Sequence, residues 1–143
     1  MPPRDPLFWD GVAWATRMHL VGVHVLFGVI AIIRQNLPLL FTGYSAFDDS
    51  FPFATWGLWN LAAAFLLFVV PSRVPFGMIV TPFSALLLFW IGAMFWQGGG
   101  LIFGSACFYG YGLLGGALFM RSLWLTMVRV RWFQRYVMRQ RHG

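Results

Sequence analysis

Lysine and glutamate are missing from this chain of 143 residues: all ten basic residues are arginine and all four acids are aspartate. Charge of either sign is scarce, at 10% of residues, where a soluble domain carries about a quarter. Combined with a hydrophobic share of 59%, that scarcity excludes an ordinary soluble domain and predicts a membrane protein. The single cysteine, Cys107, excludes an intramolecular disulfide and any multi-cysteine metal site. Set inside an apolar run, it reads as a small hydrophobe. The opening residues, MPPRDPLFWD, lack the basic end, short apolar core and small-residue cleavage site of a signal peptide. The first helix is therefore expected to remain in the mature protein.

What the chain does have is long apolar runs. Leu101–Met120 holds no charge and stops on Arg121. At about 1.5 Å per residue, such a run crosses a hydrocarbon core of roughly 30 Å. Three more runs of this kind give spans of about 11–33, 53–70, 76–96 and 101–121. The expected fold is an all-α membrane protein of four transmembrane helices, arranged as two hairpins. Residues 1–121 form the membrane domain and 122–143 a basic amphipathic tail. Trp9, Trp14 and Trp56 suit the membrane–water interface.

Each span carries a face of small or polar residues. In the second it is Gly57, Asn60 and Ala64; in the third Thr81, Ala85 and Gly92; in the fourth Ser105, Gly112 and Gly116, with Gly115 beside them. Small residues at such spacing let helices approach closely where lipid offers no hydrophobic drive for association. Asn60 is placed to hydrogen-bond across helices. Pro71 and Pro75 break the second and third spans, and Pro82 near the start of the third is tolerated or kinks it.

The first span is the least apolar. Asp10, Arg17 and His24 recur every seven residues and so line one face, which Gly28 extends. Such a stripe either faces protein or water, or Arg17 snorkels to the headgroups. Residues 34–52 contain RQNLP, TGYS and DDSFP, turn-rich pieces that read as a loop.

Beyond Arg121 the tail adds Arg129, Arg131, Arg135, Arg139 and Arg141. Arg131, Arg135 and Arg139 share one helical face, while Val130, Phe133 and Val137 lie on another. Two readings stand: a basic helix at the level of anionic headgroups, or a solvated tail obeying the topology rule. With four spans, nine arginines fall on the side of both termini and Arg34 alone on the other. The positive-inside rule then puts both termini in the cytoplasm, with the chain multi-pass in the cytoplasmic membrane.

No catalytic set emerges, and no enzyme is expected. Asp48 and Asp49 are adjacent but have no histidine nearby, and Ser84, Ser105 and Cys107 sit in apolar spans without a base near in sequence. There is no phosphate loop or dinucleotide fingerprint. No metal and no cofactor are expected; b-type haem on His19 or His24 is the minor alternative. Those two histidines lie about 140° apart around one helix, so a single face cannot present both. A homodimer would have to supply the second ligand. The aromatic-studded tail meets lipid before nucleic acid, and no nucleic-acid partner is expected.

Trp56-Gly57 opening the second span, Trp90 in the third, Tyr109-Gly110 in the fourth, the glycine turn before it and the arginine tail together resemble the holins. Holins are small multi-span membrane proteins of tailed phages. The resemblance covers about the last ninety residues. It implies a protein that oligomerises in the host cytoplasmic membrane and opens a lesion that releases or activates a cell-wall enzyme. The rival expectation is an accessory or structural subunit of a larger membrane complex, for which small-residue faces and aromatic exteriors serve equally well.

Overall fold

The computed structural model describes residues 6–71, 76–99 and 102–141, with side chains over 10–71, 76–99 and 103–128. All regular structure among these residues is helical. Helix α1 covers Pro6–Ile33. Two short helices, α2 (Leu37–Leu40) and α3 (Ser45–Ser50), follow with a 3-10 turn at Thr42–Tyr44 between them. Three long helices complete the chain: α4 (Phe53–Val69), α5 (Gly77–Gln97) and α6 (Ile102–Arg141). Helix α1 packs along α4 and α5 along α6, and the pairs meet chiefly through α4 and α5.

Three segments are long and apolar enough to cross a membrane: Asp10–Ile33, Gly77–Gln97 and Phe103–Val128. Helix α4 reaches that length only when joined to Thr42–Ser50, from which it bends by 82°. The bend falls at Phe51-Pro52, where proline lacks the N–H that a continuous helix needs. Asp48 closes the corner by accepting from the backbone N–H of Phe53 through Oδ1 at 3.1 Å.

The stretch expected as a loop is largely helical, and it is packed. Pro38, Gly43, Ala46 and Phe47 are buried, while Leu39, Leu40 and Phe41 are more than half exposed. Phe47 is fully buried among Phe27, Tyr44, Phe53, Trp56 and Phe95, with ring centroids 5.1–6.0 Å apart. Four of these five contacts are tilted or edge-on beyond 35°, the offset arrangement that ring quadrupoles favour. Trp56 also donates Nε1–H to the Phe47 carbonyl at 3.2 Å, tying α3 to α4.

This aromatic cluster fills the end of the bundle where α1 finishes, here termed the upper end. A second, aliphatic cluster of Leu20, Leu67, Val80 and Leu88 fills the lower end, where α1 begins. The outer surface is apolar: Leu26, Phe65, Phe68, Leu86 and Phe103 are each more than 60% exposed. That is what a lipid or partner-protein environment covers.

The tail continues α6 without a break, so the boundary at 121/122 is not a helix end. At about 1.5 Å per residue α6 is some 60 Å long. The side chains of Arg129, Arg131, Arg135, Arg139 and Arg141 lie outside the described residues, as does Arg73.

Candidate functional site

The stripe on α1 turns inward along its length. Asp10 meets α6 at the lower end, its Oδ1 lying 2.6 Å from Nη2 of Arg121. Two turns on, Arg17 is buried at 8% exposure and donates from Nε to the Leu67 carbonyl and from Nη2 to the Val70 carbonyl. Both acceptors belong to the last turn and C-cap of α4, whose carbonyls have no partner further along the helix. The negative end of the α4 dipole adds to the attraction. This placement satisfies a helix end and a guanidinium together.

His24 lies two turns further up and is completely buried. Nδ1 is 2.7 Å from Oδ1 of Asn60 on α4, and Nε2 is 2.7 Å from Oγ of Ser84 on α5. Asn60 in turn donates from Nδ2 to the Trp56 carbonyl at 2.8 Å. Its Oδ1 must therefore accept, so Nδ1 of His24 carries the proton and Nε2 accepts from the Ser84 hydroxyl. One imidazole thereby joins three helices. Among the described residues no buried side-chain nitrogen or oxygen lacks a partner.

The small-residue faces fall at helix crossings. A Cβ on Gly57 would come within 2.7 Å of the Ile32 side chain and 2.8 Å of the Gly28 carbonyl oxygen, so α1 and α4 touch backbone to backbone there. On α6, a Cβ at Gly112 would meet the Phe89 ring at 2.9 Å, and one at Gly115 would meet Ala85 at 3.1 Å. Gly116, one residue round the helix, has open space instead. Ser105 donates to the Gly92 carbonyl at 3.0 Å, and a Cβ on Gly92 would press on Tyr109 at 3.1 Å. Ala64 is buried on α4, and Thr81 is buried on α5 with its hydroxyl donated to the Gly77 carbonyl at 3.2 Å.

No family model, curated protein or solved structure matches this chain.

Both ring nitrogens of His24 are thus engaged. His19 is exposed on another face, its ring centroid 5.4 Å from that of Tyr111. The two candidate haem ligands are not brought together. Among the described residues no group of three or more His, Cys, Asp or Glu side chains is placed to hold a metal ion. Sequence reasoning missed Ser84 as the partner of His24, and Arg121 as the partner of Asp10. Each pairing joins residues far apart in the chain (60 and 111 positions), so no local pattern announces it. The available signal was a polar residue on the small-residue face of the facing span.

Proposed function

We propose that this chain is a non-enzymatic integral protein of the cytoplasmic membrane that serves as an accessory or structural subunit of a larger membrane assembly. In this reading it has four spans in two hairpins, α1 with α4 and α5 with α6. The segment Leu37–Ser50 re-enters the membrane surface at the outer end of the bundle. Both termini face the cytoplasm, where nine of ten arginines would then lie. The tail arginines would meet anionic headgroups there.

The observation that carries this reading is that the stripe on α1 is satisfied within one chain. Asp10 pairs with Arg121, Arg17 with the end of α4, and His24 with Asn60 and Ser84. A stripe meant to line water in an oligomeric opening would leave polar groups for the opening. Here His24 is wholly enclosed and Asp10 and Arg17 each bond to another helix of the same chain, and the outward face offers large apolar side chains to a partner.

A holin-like oligomer is the second reading, and one feature favours it. Gly22, Gly110 and Gly116 face outward with no atom within 4 Å of an added Cβ, so another copy's helix can approach there.

Expression in a bacterial host with a potential-sensitive dye, followed by affinity purification, separates the two. The subunit reading expects an unchanged membrane potential and copurification in fixed ratio with a larger complex. Delayed collapse of the potential, with no stoichiometric partner, supports the holin-like oligomer and overturns the subunit. Topology is checked by reporter fusions, expected outside at Gly43 and Gly99 and inside at Arg73. A cytoplasmic signal from Gly99 defeats the four-span arrangement.

A further inference from the structure

A crevice of about 390 Å³ opens at the lower end between α1, the end of α4, and α6. Among the described residues its charged lining is Asp10, Arg17 and Arg121, with Trp14, Phe68 and Val69 among its apolar walls. Among the described residues, two arginines line it against one aspartate. The carbonyls that hold Arg17 are dipoles and do not neutralise it. Arg17 itself lines the crevice. Arg121, at 31% side-chain exposure, presents further N–H groups beside it.

We propose that this crevice binds an anionic phospholipid, with the phosphate held by Arg17 and Arg121 and an acyl chain along the apolar wall. The inference rests on α1 and α6 being membrane spans. Asp10 is the first residue of the apolar stretch of α1, which sets the crevice at the depth of lipid phosphates. A guanidinium at that depth calls for a counter-charge or water, and guanidinium groups bind phosphate through paired N–H donors. The walls give the reason for a lipid over a free anion. Trp14, Phe68 and Val69 are 65%, 68% and 53% exposed, so the crevice opens sideways onto the acyl region. Asp10 competes with the phosphate for Arg121, which makes the carboxylate a brake on lipid binding.

The test is native mass spectrometry of the detergent-solubilised full chain, titrated with dioleoyl phosphatidylglycerol, dioleoyl phosphatidylcholine or inorganic phosphate. The parent should retain one phosphatidylglycerol with about tenfold preference over phosphatidylcholine, a difference typical of one charge-assisted contact. Asp10→Asn should tighten the first phosphatidylglycerol several-fold, Arg121→Gln should abolish the preference, and millimolar inorganic phosphate should not displace the lipid. Tightening by Asp10→Asn cannot be mistaken for misfolding. A triple variant with Arg131, Arg135 and Arg139 changed to Gln should keep the first lipid. Loss of that lipid in the triple variant, or its indifference to both Asp10→Asn and Arg121→Gln, places the lipid on the tail and overturns the proposal. Displacement by inorganic phosphate overturns the lipid in favour of a small anion. Release of the chain from membranes without detergent would instead defeat the membrane reading itself.

Discussion

The two ends of the bundle are held together by different physics. At the upper end, Phe27, Phe47, Phe53, Trp56 and Phe95 pack ring against ring, and the short helices α2 and α3 close over them. At the lower end a largely aliphatic cluster is joined by directional bonds: Arg17 to two carbonyls, and Asp10 to Arg121. Ring packing secures the upper end, although a partly polar pocket of about 510 Å³ lies beside it at residues 33–41. Hydrogen bonds and charge secure an end that keeps an open crevice. A chain that both holds its fold and offers a charged surface can do so by separating the tasks along the helix axis.

The sharpest way to break this contrast is Phe47→Ala. It removes a fully buried ring with five aromatic neighbours, so a loss of about 3–5 kcal/mol is expected. Thermal unfolding in detergent, followed by near-ultraviolet circular dichroism, measures it. A cost no greater than that of a lower-end variant would mean that the aromatic cluster is not the main anchor.

At the lower end, Arg17→Leu should cost about 1.5–3 kcal/mol, the range for hydrogen bonds from a charged group. Arg34→Leu, at an exposed position, should cost almost nothing in the same assay. Equal, negligible effects would show Arg17 to be a snorkelling residue and dissolve the contrast.

The α5–α6 seam runs between the two ends. Gly112→Leu drives a side chain into the Phe89 ring, and about 1–3 kcal/mol is expected for overpacking. Gly116→Leu should leave monomer stability unchanged. If it alters the oligomeric state in crosslinking, the open glycines on α6 are a meeting surface between copies.

The smallest effect expected is for Ser84→Ala, about 1 kcal/mol, near the middle of the range for interhelical hydrogen bonds in membranes. A double-mutant cycle with His24→Phe should show coupling of the same size. Zero coupling would mean that the imidazole is held by Asn60 alone.

The long helices were legible because a run of some twenty uncharged residues admits few other structures in lipid. The helix starts of α4 and α5 lie within a residue of their expected positions, since Pro52 and Pro75 punctuate the chain there. The polar face of α1 was legible too, because a spacing of seven is a local property. What that face touches was not. Choosing Ser84 over Thr81, or the end of α4 over headgroups for Arg17, requires the relative rotation of helices, which no single helix encodes. The same rotation separates Gly115 from Gly116: adjacent glycines look alike in sequence, yet only Gly115 meets α5. The helices of residues 37–50 were hidden for another reason. Each is too short to show a period, and their burial depends on Phe27 and Phe95, which belong to other helices.

The cross-chain pairing of His24 and Arg17 also bears on how the protein is made. Synthesis delivers α1 first, but the carbonyls that accept from Arg17 arrive at least fifty residues later and the hydroxyl that donates to Nε2 of His24 sixty residues later. Alone in lipid, the newborn first helix would expose an arginine and an imidazole without partners, at a cost of a few kcal/mol for the arginine by insertion scales. If α1 spans the membrane as proposed, its buried polar groups gain their partners only once α4 and α5 are in place beside it.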